Sequence, residues 1–178
     1  MDQLEVKYYG FAPLEVAAGT VVGIEKISQI VDEIRELHAL HYAETETLYL
    51  ESPFDPDYAQ WAQLEREAKF VLFTTRVDGK LVGYLQYYVY RDAHSRGSLI
   101  GREDAFFLRP EVRGQGLAPK LLKYAEDILA KLGCKYIGMS SKGPVGGPDI
   151  GPFLESRGYR PVAVFYSKKV EGSNDVLQ

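Results

Sequence analysis

The chain has 178 residues, 46% of them apolar and 26% charged, with a formal net charge of −4. That composition is ordinary for a folded globular chain, its acidic balance argues against a general nucleic-acid binder, and no run reaches the ~18 apolar residues of a membrane span. The single cysteine, Cys134, excludes an intrachain disulfide and a cysteine-cluster metal site; with an acidic N-terminus unlike a signal peptide, the expected setting is reducing and cytoplasmic.

Leu4, Val6 and Tyr8 alternate and predict a first strand over residues 4–9. Ile24, Ile27, Val31, Ile34, Leu37 and His41 follow helical spacing, which predicts a long amphipathic helix from residue 24 to about 43. His38 and His41 share a face of it. Without a third ligand beside Glu44 they read as packed or surface histidines rather than a metal pair, and His94 reads as a surface residue. Asp55 is the expected N-cap of a second helix, with Pro56 at its first position and Tyr58, Trp61, Leu64 and Ala68 buried. Glu44, Glu46, Glu51, Asp55 and Asp57 make the connecting loop acidic: a solvated loop, or a rim that favours a cationic acceptor.

Phe70 to Val77 is strand-like, Asp78-Gly79 is a hairpin turn, and residues 81–90 form the partner strand. Tyr84, Tyr87, Tyr88 and Tyr90 on that strand point to both faces. A polar loop over 92–97 leads to a strand ending at Leu108. Leu117, Leu121, Leu122, Ala125, Ile128, Leu129 and Leu132 mark one face of a helix that Gly133 terminates. Residues 136–140 predict a short buried strand, 143–152 a Gly/Pro-rich loop, and 152–157 a short helix stopped by Gly158. Residues 162–169 predict a final strand. Residues 1–170 are expected to form one domain, followed by a polar tail over 171–178.

The segment 106–122 carries the most chemistry. An apolar strand enters a Gly-rich turn and leaves as a helix, so backbone N–H groups converge where the helix begins, a place that binds anions. Gly114 and Gly116 let the backbone approach a ligand closely. The nucleotide-binding pattern G-x-x-x-x-G-K-S/T fails, because Leu121 follows Lys120 and no glycine sits at the required position. The dinucleotide pattern G-x-G-x-x-G fails at Pro119. The pattern R/Q-x-x-G-x-G/A is met by Arg113, Gly116 and Ala118.

That loop resembles the pyrophosphate loop of the GNAT superfamily of acyl-CoA-dependent N-acyltransferases. Asp104-Ala105-Phe106-Phe107-Leu108 resembles the family's fourth strand, and Phe153-Leu154-Glu155-Ser156-Arg157-Gly158-Tyr159 its closing signature. The likeness spans roughly residues 70–170. The positions of His41, Glu44, Asp149 and Tyr166 resemble those of a subgroup of GNAT proteins found in bacteria and their phages. The resemblance implies an α/β (α+β) GNAT fold, with a mixed, mainly antiparallel central sheet and helices on both faces. It further implies acetyl-CoA as cosubstrate, no metal, and an amine acceptor on a small molecule or a protein; nucleic acid is disfavoured and a homodimer is allowed.

By that resemblance the amides of Arg113, Gly114, Gln115, Gly116, Leu117 and Ala118 hold the pyrophosphate, and the backbone of Phe106 and Leu108 pairs with the pantetheine arm. An amine, with a pKa around 10, must lose a proton before attack, and Asp104 falls at the family's base position. Strand parity places Asp104 beside Phe106 and Leu108, with Glu103 facing away; a solvated strand-entrance carboxylate is the bland alternative. Leu154 replaces the tyrosine that serves as general acid in the family. Tyr159, Tyr166, Ser140, Ser141 and water remain open for that role. The departure keeps a non-catalytic acyl-CoA-binding or interaction module as the alternative function.

Overall fold

Alternation along the central strands sets the architecture. The computed structural model describes residues 10–48, 52–145 and 147–168; the strand expected at 4–9, Glu51, Lys169 and the tail lie outside the described residues. Six strands, β1 (Leu14–Ala17), β2 (Thr20–Ile24), β3 (Phe70–Val77), β4 (Lys80–Arg91), β5 (Leu99–Leu108) and β6 (Cys134–Gly138), form one sheet in chain order. Neighbours are antiparallel except β5 and β6, which run parallel.

Successive side chains of a strand point to opposite faces, and here both faces are covered. Phe70, Leu72 and Tyr84 pack with Ile34 and Leu37 of α1 (Val31–Thr45) and with Tyr58 and Trp61 of α2 (Tyr58–Arg66). Val71, Phe73, Leu85 and Tyr87 pack with Leu121, Leu122, Ala125 and Leu129 of α3 (Leu117–Lys131) and Leu154 of α4 (Gly151–Ser156). The expected mixed, mainly antiparallel sheet with helices on both faces is what the chain adopts. The tyrosines of β4 divide as expected: Tyr84 and Tyr88 lie on the α1 side, Tyr87 on the α3 side.

Four expectations need correction. The first helix begins at Val31, not near Ile24: Ile24 closes β2, and Ile27 opens a 3-10 turn in which its N–H donates to the buried Glu65 carboxylate at 2.9 Å. Apolar spacing therefore ran unbroken through a strand, a turn and a helix, and hid the β1–β2 hairpin. The cap of α2 is Asp57, not Asp55; its carboxylate accepts from Gln60 N at 2.9 Å. β6 starts at Cys134, and Tyr136 on it is 71% exposed rather than buried. The final strand expected over 162–169 does not form among its described residues: 161–168 have no regular structure and are exposed.

The β4–β5 pairing is tight at Gly83, which faces Leu108. A Cβ there would run into the Leu108 side chain and sit 3.0 Å from the Phe107 carbonyl oxygen. Gly83→Ala is expected to destabilise the fold by about 1–3 kcal/mol, the usual cost of overpacking. Thermal denaturation reads this directly, and an unchanged midpoint would contradict it.

Candidate active site

β5 and β6 pair only as far as Arg102 and Gly138. Beyond that point β5 runs on to Leu108 while β6 ends, and an open cleft lies between β5 and the segment that follows β6. Its floor is Glu103, Asp104, Phe106, Phe107 and Leu108 of β5. The end of α1 forms one wall with His41, Glu44, Thr45 and Glu46, and Ser140, Lys142, Pro148 and Ile150 form the other. Arg113, Gly114 and Ala118 close one end.

That end is the Gly-rich turn. Gly114 and Gly116 both have φ of 75°, the left-handed conformation that favours glycine, and a Cβ on either would meet nothing within 4 Å. Gly116 is the N-cap of α3 and offers no side-chain cap, so the first N–H groups of the helix remain donors for a ligand. Pro119, which has no N–H, sits inside that first turn. Of the residues expected to bind the cofactor, Phe106, Leu108, Arg113, Gly114 and Ala118 line the cleft. Gln115, Gly116 and Leu117 belong to the turn but do not line it: Gln115 donates to Glu111 O at 2.9 Å, and Leu117 is buried in the core.

Two ion pairs tie the end of α1 across the cleft. The Arg113 guanidinium donates to both oxygens of Glu44 at 2.8 and 2.7 Å, while its Nε donates to Leu108 O at 2.9 Å. The same guanidinium lies 5.3 Å from the centre of the Phe107 ring. Lys142 reaches from the opposite wall to Glu46 at 3.1 Å.

A β-bulge overturns the parity expected of the acids. Gln86 pairs with Ala105, but Tyr87 pairs with Glu103, so Asp104 is the extra residue. Glu103 therefore shares the face of Tyr87, Phe106 and Leu108, and Asp104 turns toward the α1 side. Both reach the cleft. Ser140 donates to Glu103 Oε2 through its N–H at 3.0 Å and its hydroxyl at 2.8 Å. Burial pushes the Glu103 carboxyl up to about 7 against those two bonds, and the Asp104 charge adds to the rise. Burial also raises Asp104 to about 6, helped by Glu46 and opposed by Lys142. Asp104 opens to solvent at the cleft mouth, so its rise weighs less than that of Glu103.

The histidines fall on different sides of the wall. His38 is buried between Gln86, whose amide nitrogen lies 2.9 Å from its Nε2, and the Tyr58 hydroxyl, 3.2 Å from its Nδ1. Burial, reinforced by His41, pulls it down to about 3. His41 faces the cleft, stacks on Phe107 at 5.1 Å, and has Nδ1 2.7 Å from the Tyr84 hydroxyl. Burial holds it at about 4 despite Glu46 and Glu44, so both rings are neutral near pH 7. His94 is exposed. Thr45, Lys142 and Pro148 were missed by sequence reasoning, since only folding brings their segments to β5. Among the described residues no three His, Cys, Asp or Glu side chains converge as a metal site.

The profile of the acetyltransferase (GNAT) family matches residues 32–143, more than half of the chain. The chain belongs to the GNAT acetyltransferase family. Solved structures share this GNAT fold at low identity. An aminoglycoside acetyltransferase from an uncultured soil metagenomic sample, in complex with sisomicin, is 16% identical over 87% of this chain and 100% of its own, with a TM-score of 0.61. Glucosamine-6-phosphate N-acetyltransferase from Arabidopsis thaliana is 15% identical over 84% and 97%, with a TM-score of 0.63. Ribosomal-protein-alanine N-acetyltransferase from Brucella melitensis is 19% identical over 87% and 99%, with a TM-score of 0.61. No curated protein sequence matches it significantly.

The acyl-CoA that GNAT enzymes use fits the residues present. A Cβ-free cradle at Gly114 and Gly116 meets an uncapped helix start, and β5 beyond Arg102 has a free edge for an amide-bearing arm. At Leu154, which the resemblance sets at the family's acid position, the side chain has no proton to donate. Leu154 is a core residue, and Tyr159 donates to Glu126 at 2.9 Å. Tyr166 is 87% exposed, and Ser141 with Asp149 organises the loop before α4. Of the residues weighed for that role, only Ser140 lines the cleft.

Proposed function

We propose that this GNAT protein transfers an acetyl group from acetyl-CoA to a primary amine of a small molecule or protein, by direct attack within a ternary complex. The observation that carries this reading is one cleft holding both an anion cradle and carboxyls raised toward neutral pH. The turn from Arg113 to Ala118 would hold the pyrophosphate through its backbone N–H groups, and the Phe106–Leu108 backbone the pantetheine arm. When bound, the cosubstrate would supply a thioester whose carbonyl carbon accepts the neutral amine as the C–S bond breaks, the departing thiolate taking the proton that the new amide nitrogen sheds.

Before that attack, Asp104 takes the proton of the acceptor's ammonium. A carboxyl near 6 is ionised at neutral pH and is a better proton acceptor than one at its usual value. Glu103, fixed by Ser140, holds the chain after β6 in place. Glu44 and Glu46 carry ion pairs with Arg113 and Lys142, so it is the Asp104 carboxylate on the α1 side that favours a cationic acceptor. The fold relatives named for aminoglycoside, sugar-phosphate and ribosomal-protein acetylation suit the same class of amine-bearing acceptors.

The test is thiol release from acetyl-CoA across a panel of aminoglycosides, polyamines and peptide amines. Turnover with at least one amine is expected. Leu154 favours a second reading, a non-catalytic acyl-CoA-binding module. Calorimetric binding of acetyl-CoA without turnover on any amine would select that reading, and no binding at all would defeat both.

A further inference from the structure

Among the described residues, two groups that line the cleft on the α1 side have polar atoms without a hydrogen-bond partner. The first is His41, near the end of α1 and stacked on Phe107. Its Nδ1 lies 2.7 Å from the Tyr84 hydroxyl. Tyr84 is buried, and its hydroxyl has no other partner among the described residues. A buried O–H without an acceptor is costly, so Tyr84 donates and His41 Nδ1 accepts. A neutral imidazole then carries its proton on the other nitrogen. Burial keeps this ring neutral near pH 7, so Nε2–H is a fixed donor and not a cation. Nor is Nε2 sealed in the interior: among the described residues, the buried side-chain polar atom without a partner is the Thr75 hydroxyl. Other donors on the cleft walls are engaged: Arg113 with Glu44, Lys142 with Glu46, Thr45 with the His41 carbonyl and Ser140 with Glu103. The second group is Asp104, which the bulge turns to the same side and whose charge acts on the same Tyr84 hydroxyl.

We infer that His41 is a specificity-determining residue: its Nε2–H donates to an oxygen of the acceptor, beside the amine that Asp104 receives. The acceptor is then a primary amine with a hydroxyl or carbonyl oxygen on the neighbouring carbon. This rests on the acetyl-transfer reading and names the acceptor class for it. Both groups border Tyr84, one through a hydrogen bond to its hydroxyl and the other through its charge, so the amine and the oxygen must lie close together. An N–H donor meets no lone pair on an ammonium, so a second charged amine at His41 is rejected. Glu44 and Glu46, the other carboxylates of that wall, are already held by Arg113 and Lys142. Amino alcohols, amino sugars and the first residue of a peptide all present the required pair of atoms; polyamines and lysine side chains do not. A site that hydrogen-bonds a substrate oxygen discriminates against the analogue without it, because its own polar group is left unpaired.

The test sets matched acceptors against the full chain. Ethanolamine and propylamine differ by a hydroxyl in place of a methyl, glycinamide and isobutylamine by a carboxamide in place of an isopropyl group. The amines of a pair differ in basicity, so the ratio of kcat/KM within each pair is compared between wild type and variant, where that difference cancels. In His41→Leu the ratio should fall by about 10-fold, the weight of one neutral hydrogen bond. The pair that responds separates an amino-alcohol acceptor from an aminoacyl one. His41→Gln should restore the ratio, since its amide oxygen can take the Tyr84 hydroxyl while its N–H faces the cleft. Tyr84→Phe, which frees the ring to change tautomer, should lower it. Independently of turnover, nitrogen NMR of the labelled protein should show His41 protonated at Nε2 and bare at Nδ1. A proton on Nδ1 overturns the inference. So does an unmoved ratio, and if both amines of a pair slow equally, the N–H serves the acyl oxygen instead. Turnover of no amine at all is a different failure: it sinks the acetyl-transfer reading and takes this inference with it.

Discussion

Gly116→Val is expected to lower acetyl-CoA affinity by about 100-fold or more, some 2.7 kcal/mol, while the protein stays folded. Two effects act at this position, and they are separable. Gly116 has φ of 75°, where a side chain costs about 1–2 kcal/mol, a shift of a few degrees in melting temperature. The added side chain would also meet no protein atom within 4 Å; it would stand at the open start of α3, in the space a diphosphate needs. Gly97 supplies the control. Its φ is 84°, its Cβ position is equally open, and it lies in the loop between β4 and β5, not at the start of α3. Gly97→Val should reproduce the loss of melting temperature and leave acetyl-CoA binding intact. Calorimetric titration of the two variants decides the matter: equal affinities would remove the turn from the binding site.

The contrast between that turn and the acids shows where sequence is informative. The turn is local: Arg113, Gly114, Gly116, Ala118 and Pro119 are neighbours in the chain, their conformational demands are written in residue type, and a helix start needs no distant partner. The central hairpin is legible for the same reason. Phe70 to Val77, Asp78-Gly79 and the next strand are fixed by alternation and by a turn in which Asp78 and Gly79 have φ of 48° and 80°. Glu103 illustrates what is lost. Its direction depends on a bulge between β4 and β5, a property of pairing between two strands, so counting residues along one strand gave the wrong face. The apolar series from Ile24 to His41 failed differently. Its spacing is helical throughout, but the buried Glu65 carboxylate, remote in sequence, pins the Ile27 N–H and holds a 3-10 turn there. The strand expected over 162–169 has strand composition, yet its described residues pair with no strand, because β composition alone does not fix which edge a segment joins.

Separate substitutions of the two acids should assign the proton. Asp104→Asn is expected to reduce kcat/KM at neutral pH by about 10²-fold or more, the usual weight of a general base, measured with an acceptor found in the amine panel. In the wild type, kcat/KM should rise with pH as the carboxyl near 6 loses its proton, then level off. In Asp104→Asn that limb should vanish, and activity should recover toward alkaline pH as the free amine itself becomes available. Glu103→Gln should keep the limb, because its role is to hold the chain after β6 through Ser140. Stability gives an independent readout of the same carboxyl. The Glu103 pKa is raised from 4.5 to about 7 on folding, so the folded state binds the extra proton, and stability falls as pH rises through that window. The variant escapes this loss. Its stability relative to wild type should therefore improve between pH ~4.5 and ~7 and stay constant above, by at most about 3 kcal/mol. His38 and His41 act in the opposite direction below pH ~6.5, since their depressed values make the unfolded chain the better proton binder; both remain in the variant, so they cancel in the difference. If Glu103→Gln erases the kinetic limb while Asp104→Asn retains it, the proton passes to Glu103, and the face that the bulge gives to Phe106 and Leu108 becomes the catalytic one.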